Sequence, residues 1–280
     1  MPDPGSGKRP RIVATMGTVI GIDVRDPAVP ESAIDQAVAW LTDVDLRFSP
    51  YRAASEISCL ARGEVTPEDC SPDVRFVLTR CEALRTESDG FFDIRGPGLL
   101  GGLDPSGYVK GWAVEEAAFI LEAAGARNYA INAGGDVILR GEPEPGPGSE
   151  PGRAVGRPWV VGIRHPLEID QVIARLAFEA ATDRRAVATS GLYERGDHIL
   201  DPHTGLAPAG LLSATVVGPS LALADAYATT VFAMGAAGLP WLARRPGYGG
   251  YVIDDNERPS WTADVDDLLA AGREAVGPAA

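Results

Sequence analysis

The helices predicted for this chain come from apolar residues that recur every three or four positions. That spacing places the apolar side chains on one face of a helix, where they can pack against a core. Pro30-Glu31-Ser32 marks the start of the first such segment, and Gly125 marks the end of the third. The pattern predicts helices over residues 31–46, 72–86, 110–124, 221–234 and 261–272.

Strands are predicted where β-branched and apolar residues run between turn-forming residues. Residues 11–24 are rich in Ile, Val and Thr around Met16-Gly17-Thr18, which indicates a strand pair or a bulged strand. Residues 141–157 hold many Pro and Gly without periodicity, so we predict an exposed loop there. Further strand signals cover residues 128–139, 158–164, 171–179, 185–190 and 212–218.

The order of these elements favours an α+β fold. Helices and strands mix without the regular βαβ rhythm of a doubly wound sheet. The chain has 280 residues, of which 45% are apolar, and this is enough for a sizeable core. We therefore predict a single domain over residues 11–275, after a flexible N-terminus at residues 1–10.

The charge of the chain narrows the possible functions. The net charge is −14 and no basic stripe is present, so we expect no nucleic acid as a partner. An acidic protein that holds an anionic ligand needs a local device, such as a metal, a helix N-terminus or a nest of backbone N–H groups. Only Lys8 and Lys110 are lysines, which singles out Lys110 as a candidate contact for such a ligand.

The N-terminus and the cysteines bear on the cellular compartment. Residues 1–11 lack the apolar stretch of a secretory signal, and we expect no membrane span because no window approaches the required ~20 apolar residues. Cys59, Cys70 and Cys81 fit neither a C-x-x-C metal site nor a disulfide framework, so we expect reduced, mostly buried thiols. The expected location is cytoplasmic, and an exported form stays open if a leader was removed.

Two segments before residue 140 carry residue types suited to an anionic ligand. Asp104-Pro-Ser-Gly-Tyr-Val-Lys110 runs into a predicted helix, where backbone N–H groups, the helix dipole and a lysine suit phosphate. An ordinary helix start is the simpler interpretation of that segment. Asn132-Ala-Gly-Gly-Asp136 interrupts a strand signal, which indicates either a hairpin turn or close approach of a ligand. Asp136 could accept a hydrogen bond from a ribose hydroxyl or from the backbone.

Two further segments lie nearer the C-terminus. Thr189-Ser-Gly191 offers small and hydroxyl-bearing residues at a strand end, which suits a phosphate contact. His198 could take a proton from a hydroxyl, and Asp201-Pro-His-Thr-Gly205 after it predicts a tight turn. Asp225 and Thr229 are four residues apart on a predicted helix, so they share a face and form a hard oxygen pair suited to Mg²⁺. The alternative for Asp225 is a carboxylate that complements the helix dipole.

In this order, these segments resemble the ApbE family, the FAD:protein FMN transferases. The resemblance covers the chain from about Met16 to Gly235. Each piece alone is weak, whereas the whole set in a fixed order is highly specific. The pieces are Thr15-Met-Gly-Thr18, Phe48-Ser-Pro-Tyr-Arg52 with Ser55-Glu56, Asp89-Gly-Phe-Phe-Asp93, Lys110-Gly111, Asn132-Ala-Gly-Gly-Asp136, Thr189-Ser-Gly191, His198-Ile-Leu-Asp-Pro-His-Thr-Gly205 and Asp225-Ala-Tyr-Ala-Thr229.

The resemblance implies a fold, an activity and a set of site residues. The fold would be the α+β type of the ApbE family, a T-fold-like single domain with mixed or antiparallel sheets and flanking helices. The activity would be Mg²⁺-dependent transfer of FMN from FAD to a threonine hydroxyl of an acceptor protein, with release of AMP. The metal ligands would be Asp225, the Thr229 hydroxyl and the Gly107 carbonyl, and the base would be His198. The FAD-binding residues would be Met16, Tyr51 beside the isoalloxazine ring, Lys110 and, along the ADP half, Asn132, Gly134, Gly135, Asp136, Thr189, Ser190 and Gly191.

Two other functions would use the same residues. One is a Mg²⁺-dependent FAD diphosphatase that passes FMN to water, and the other is a non-catalytic FAD-binding protein. Members of the family often carry Asn where this chain has Ala61, a position expected to border the flavin pocket, and Leu-Gly where it has Pro105-Ser106. The first departure bears on the balance between transfer and hydrolysis. A non-catalytic FAD-binding protein would need neither His198 nor the pair Asp225 and Thr229, and their presence argues against this function.

Overall fold

The part of the chain that the structure describes consists of antiparallel strands and helices. The structure is a computed structural model that describes residues 10–95, 102–144, 157–168, 170–179, 183–191, 199–269 and 271. The helices are α1 Glu31–Phe48, α2 Glu56–Ala61, α3 Pro72–Glu87, α4 Ser106–Ala123, α5 Leu221–Met234 and α6 Gly238–Leu242. The strands are β1 Arg11–Thr15, β2 Thr18–Val24, β3 Tyr129–Ala133, β4 Asp136–Arg140, β5 Trp159–Arg164, β6 Val172–Phe178, β7 Arg185–Gly191, β8 Leu211–Gly218, β9 Gly249–Asp254 and β10 Pro259–Trp261.

The strands form one large sheet and one separate hairpin. The large sheet has eight antiparallel strands in the order β1-β2-β3-β4-β7-β8-β9-β10, while β5 pairs only with β6. Side chains alternate between the two faces of the sheet. In β4, Ile138 joins the core formed with the helices, whereas Val137 and Leu139 join a second core with β5 and β6. The predicted α+β class is therefore confirmed.

The two helices that will matter most, α4 and α5, lie unusually close together. A Cβ atom added to Gly111 in α4 would lie 2.4 Å from the carbonyl oxygen of Leu221 in α5. Only glycine fits such an approach, since real Cβ atoms do not come that near to a backbone oxygen. The Gly111 N–H donates a hydrogen bond of 3.0 Å to the carboxylate of Asp225 in α5. The close approach thus brings Asp225 against the first turns of α4.

Two tight turns lie at the same end of the sheet. Met16 and Gly17 join β1 to β2 with φ values of 54° and 68°, and Gly134 and Gly135 join β3 to β4 with φ values of 63° and 108°. A Cβ atom at Gly134 would lie 2.4 Å from the Thr18 hydroxyl, so the turns touch. The hairpin interpretation of the Asn132–Asp136 segment is confirmed, and so is the strand pair at residues 11–24.

Two predicted helix starts differ from the structure. The helix expected from residue 110 begins at Ser106. Gly107 and Gly111 lower helix propensity, so the pattern placed the start too late. Packing against α5, which these glycines allow, compensates for the low propensity. The helix expected from residue 261 begins later, after the end of β10 and a 3₁₀ turn at Ala263–Val265. Strand β9 was not predicted because it starts with two glycines, which have low strand propensity. Helix α2 was not predicted because it is too short to show periodicity. Residues 1–9 of the expected flexible segment 1–10 and residues 145–156 of the expected loop 141–157 lie outside the described residues.

One stretch of the described chain has the length and composition of a membrane-crossing helix. It is Leu221–Leu242, with a mean hydropathy of 1.2, and 72% of that window is buried inside the fold. Length and composition alone therefore do not separate this stretch from a membrane-crossing helix, and a buried core helix has the same properties. The apolar character of this stretch follows from its packing, because α5 lies between α4 and strands β7 and β8.

The three cysteines are not in disulfides. Cys59 is half-buried, while Cys70 and Cys81 are buried, as expected. Burial raises the pKa of the Cys81 thiol to about 12, because the charged thiolate would lose its hydration inside the fold. This thiol is therefore a packing group with little nucleophilic character.

Candidate active site

A cavity of about 1100 Å³ opens beside the turns β1–β2 and β3–β4. Its wall is built from segments that are far apart in sequence: both turns, the start of α4, the end of β7, the middle of α5 and the β5–β6 hairpin. Its volume is at the upper end of the ~300–1,000 Å³ range typical of ligand pockets. The predicted site residues on its wall are Met16, Tyr51, Gly107, Lys110, Asn132, Gly134, Gly135, Thr189, Ser190, Asp225 and Thr229.

Two of the described site residues are not on that wall, and a third predicted residue falls outside the described part of the chain. Gly191 is buried at the end of β7, where it pairs with Ser213. Asp136 is completely buried and lies behind the wall. His198 lies outside the described residues, and the next residues that are described, Ile199 and Leu200, line the cavity.

The three predicted metal ligands come together at the junction of α4 and α5. A Cβ atom at Gly107 would lie 3.2 Å from the Thr229 hydroxyl oxygen, so the first turn of α4 faces this hydroxyl. The Ser190 hydroxyl lies 3.3 Å from the same oxygen. Asp225, one turn before Thr229, is 3% exposed and lines the cavity. The alternative role for Asp225 at the helix start is wrong, because Asp225 is not in the first turn of α5 and its carboxylate accepts a hydrogen bond from α4.

Glu115 caps α5 instead. Its carboxylate accepts hydrogen bonds from the Ser220 hydroxyl at 2.7 Å and from the Ala222 N–H at 3.1 Å. A carboxylate is stabilising at this end of a helix, where the dipole is positive. Two buried carboxylates therefore bridge α4 and α5, and only Asp225 reaches the cavity.

The donor set at this junction suits Mg²⁺. Magnesium prefers oxygen ligands and usually takes one or two carboxylates, with waters and substrate phosphates completing the shell. Among the described residues there is no cluster of three or more His, Cys, Asp or Glu side chains, so a transition-metal site of that kind is absent from them. A carboxylate and neighbouring hydroxyl oxygens, beside the cradle left by Gly107, fit the magnesium ion better.

Lys110 places a cation on the cavity wall. Its ammonium nitrogen lies 2.6 Å from Oδ2 of Asp136 and 3.8 Å from Oδ1 of Asp225. Because α4 starts at Ser106, whose N–H donates to Asp104, Lys110 lies more than one turn inside the helix. The start of α4 therefore lies before Lys110 but within the segment Asp104–Lys110, and the phosphate contact of that segment stays a prediction. The side chain of Lys110 nevertheless remains on the cavity wall.

Asp136 is held by a backbone N–H group and by Lys110. Its Oδ1 atom accepts a hydrogen bond of 3.0 Å from the Thr189 N–H, and its other oxygen faces Lys110. Of the two partners predicted from the sequence, a ribose hydroxyl and the backbone, the structure provides the backbone. The Thr189 hydroxyl in turn lies 2.9 Å from the Thr215 hydroxyl, which fixes it on the cavity side of β7.

The segment Phe48–Arg52 with Ser55-Glu56, which resembles the family, contains a residue that lines the cavity and residues that stabilise the fold. Tyr51 is 69% exposed at the rim. Ser55 caps helix α2 by accepting a hydrogen bond from the Ser58 N–H, and Glu56 accepts one from the Ser71 N–H ahead of α3. Ala61 lies away from the main cavity and lines a smaller one of about 250 Å³, which it shares with Tyr51. Since Tyr51 is the residue expected beside the isoalloxazine ring, the position of Ala61 at the border of the flavin pocket stays a prediction.

Part of the cavity wall comes from residues that the sequence did not single out. They lie on the β5–β6 hairpin, which covers the opposite side from α4, and they include Trp159, Arg164, Asp170 and Gln171. The hairpin reads locally as two ordinary strands. Its position over the cavity depends on packing against β4, for which no local signal exists.

The comparison with protein families gives a direct result. The ApbE family profile matches residues 16–101 and 99–252, which together cover most of the chain. The chain belongs to the ApbE family. The resemblance inferred from the ordered segments is thereby confirmed.

Relatives and solved structures of ApbE proteins are similar to the chain over different lengths. A protein of Vibrio cholerae named FAD:protein FMN transferase is 31% identical over 228 residues, which cover 78% of this chain and 60% of that protein. A protein of the same name from Rhodobacter capsulatus is 35% identical over 153 residues, covering 52% of this chain and 26% of that protein. The chain thus spans less than two thirds of these relatives. The crystal structure of the ApbE protein of Thermotoga maritima matches with a TM-score of 0.77 at 21% identity, covering 93% of this chain and 98% of that one, which supports the fold.

Proposed function

We propose that this ApbE protein transfers FMN from FAD to a threonine hydroxyl of an acceptor protein, in a Mg²⁺-dependent reaction that releases AMP. Relatives in two organisms carry the name FAD:protein FMN transferase, which supports the reaction class. The cavity is large and is built from the segments that carry the family resemblance.

The observation that carries the proposal is the meeting of Gly107, Asp225 and Thr229 on the wall of the cavity. These residues come from two helices that are more than a hundred positions apart, and a glycine contact holds the helices together. An oxygen-rich point on the wall of a deep pocket is what a diphosphate-bound magnesium ion requires. Lys110 adds a positive charge beside it, so an acidic protein can receive an anionic dinucleotide.

The transfer is a substitution at the phosphorus of the FMN half. The threonine oxygen of the acceptor forms a bond to this phosphorus while the bond from phosphorus to the bridging oxygen breaks, and AMP leaves with that electron pair. The proton of the threonine hydroxyl goes to His198, for which a general-base contribution of about 10²–10⁴-fold is typical. A bound Mg²⁺ would neutralise charge on the diphosphate oxygens. Lys110 and the hydroxyls of Thr189 and Ser190 would orient the diphosphate.

The proposal is tested by incubating the protein with FAD, Mg²⁺ and a threonine-containing acceptor protein. We expect AMP to appear in equal amount with flavin covalently attached to the acceptor, and we expect neither product in EDTA. Free FMN formed without an acceptor, at a rate that the acceptor does not change, would instead identify a diphosphatase. Tightly bound FAD with no AMP under any metal condition would identify a carrier. Replacing the acceptor threonine with alanine is the control for the attachment site.

Calorimetry gives a prediction about the metal. FAD binding is expected to be at least about tenfold tighter with millimolar Mg²⁺ than in EDTA, because an ion held by Asp225 would neutralise charge on the diphosphate. The titration is performed with FAD in the syringe and the acceptor left out. Equal affinity with and without the metal would contradict the magnesium assignment.

His198 gives a prediction about proton transfer. His198→Ala is expected to slow FMN transfer by about a hundredfold or more while FAD affinity changes by less than about threefold, because a base acts in the transition state. His203→Ala is the matched control, since His203 packs edge-on against Phe91, with ring centroids 4.5 Å apart, and is not on the cavity wall. A large loss of FAD affinity in His198→Ala would make this histidine a binding residue.

A further inference from the structure

Lys110 lies between two buried carboxylates at unequal distances. Its ammonium lies closer to Asp136, at 2.6 Å, than to Asp225, at 3.8 Å. The side chain of Asp136 is 1% exposed and that of Asp225 is 4% exposed, so water screens neither charge well. A single ammonium is thus attracted by two carboxylates, and which one holds it depends on the charge of each.

Asp136 has no access to a ligand in the cavity. It is fully buried and absent from the wall, its Oδ1 is occupied by the Thr189 N–H, and its Oδ2 faces Lys110. The contact with Lys110 is an ion pair without the alignment of a regular hydrogen bond, so it is mainly electrostatic. Whatever Asp136 contributes to the site therefore passes through Lys110 or through β7.

The location of the ammonium matters for any cation that binds at Asp225. An ammonium that moved into direct contact with Asp225 would neutralise the carboxylate and occupy the space in which a metal ion would lie. Two cations at one carboxylate repel each other strongly in a poorly screened site. An internal lysine is therefore a competitor for the metal unless something else holds it.

We propose that Asp136 is a positioning residue that holds the Lys110 ammonium away from Asp225, so that Asp225 can bind a divalent cation. The inference rests on the proposed function, because that function supplies the metal at Asp225. Asp136 keeps the positive charge of Lys110 beside the metal position, where it can attract a diphosphate, and prevents it from replacing the metal.

The experiment compares four proteins: the wild type, Asp136→Asn, Lys110→Met and the double variant. Asparagine at position 136 keeps an oxygen that can accept from the Thr189 N–H and removes the charge that holds Lys110. Mn²⁺ is titrated into each protein with ADP present, which supplies a diphosphate that the proposed transfer does not consume. Free Mn²⁺ is measured by its EPR signal, against a protein-free reference with the same ADP. Thermal unfolding of each variant is recorded in parallel.

Asp136→Asn is expected to weaken Mn²⁺ binding by about tenfold or more, because Lys110 is then drawn to Asp225. Adding Lys110→Met to this variant is expected to raise the affinity again by at least about threefold, because the competitor for Asp225 is gone even though the contact of Lys110 with the diphosphate is lost too. A purely structural role of Asp136 would not produce this rescue. The inference is overturned if Asp136→Asn binds Mn²⁺ as tightly as the wild type. It is also overturned if the double variant binds Mn²⁺ as weakly as Asp136→Asn. Both results can be judged even if Lys110→Met alone fails to fold. A wild type that takes up no Mn²⁺ above the reference would contradict the magnesium part of the proposed function itself.

Discussion

Asp225→Asn is expected to lower the rate of FMN transfer by about a hundredfold or more at saturating FAD. Asparagine keeps the size of the side chain and an oxygen that can accept the hydrogen bond from the Gly111 N–H. The change therefore removes a negative charge from the cavity with little effect on the packing of α4 against α5. Loss of one electrostatic contact of this kind in an active site typically costs about 10²–10³-fold in rate.

Glu115→Gln is the matched control for this prediction. Glu115 also joins α4 to α5 through a buried carboxylate, but it caps α5 and does not reach the cavity. We expect this variant to lower the midpoint of thermal unfolding while the rate per folded molecule stays within about threefold of the wild type. AMP release is the measured rate in both cases. Transfer by Asp225→Asn at the wild-type rate would remove Asp225 from the metal site.

The sequence predicted helix α5 and its two candidate ligands because the information there is local. The bounds of α5, Leu221–Met234, match the predicted range. Once the helix is fixed, the spacing of four between Asp225 and Thr229 puts both on one face. Their place on the cavity wall follows from that face, and Ser220 and Glu115 secure the start of the helix.

The start of α4 could not be predicted in the same way because local and tertiary preferences conflict there. Gly107 and Gly111 each cost about 1 kcal/mol in helix propensity relative to alanine. Packing compensates for this low propensity, because the two glycines let Thr229 and Leu221 of α5 come close to the α4 backbone. A pattern search sees only the first effect and therefore begins the helix at Lys110. Glycines at four-residue spacing are a signal of close helix packing that could have placed the start earlier.

The contact of Asp136 with Lys110 could not be predicted from the sequence for another reason. A carboxylate after two glycines in a hairpin points to whichever face the register dictates, and a shift of one residue reverses it. Pairing of β4 with β7 places Asp136 next to the Thr189 N–H, on the helix side where Lys110 lies. Register between strands that are fifty residues apart has no local signature. The wall residues of the β5–β6 hairpin were missed for the same reason.

The motif residues shared with the ApbE family serve both the site and its scaffold. Gly134 has a positive φ and would clash with Thr18 if it carried a side chain, so it fixes the contact of two turns at the rim. Ser55 caps α2, and Glu56 anchors the segment before α3. A family pattern therefore identifies the residues that build the cavity without separating those that contact a ligand. The separation comes from the structure, where Tyr51 lies on the wall and Ser55 does not.

Gly111→Ala is expected to lower the free energy of unfolding by about 2 kcal/mol or more. In an open helix interior, alanine would stabilise by about 1 kcal/mol relative to glycine. Here the new methyl group would lie 2.4 Å from the Leu221 carbonyl oxygen and 3.0 Å from the Ala222 Cα, and both are backbone atoms that cannot rotate away. Separation of α4 from α5 is the available relief, and overpacking of this kind typically costs about 1–3 kcal/mol, occasionally more. Chemical denaturation in urea measures the change.

Gly107→Ala separates this steric effect from helix propensity. It lies in the same helix and gains the same propensity, but its methyl group would meet a side-chain oxygen, that of Thr229, at 3.2 Å. We expect its free energy of unfolding to change by less than about 1 kcal/mol, while Mg²⁺-linked FAD binding weakens because the methyl group enters the metal position. Gly111→Ala should weaken the same binding only through the displacement of Asp225, whose carboxylate the Gly111 N–H holds. If Gly111→Ala were as stable as the wild type, the two helices would have room to move apart, and the distance between Asp225 and Gly107 would not be set by this glycine.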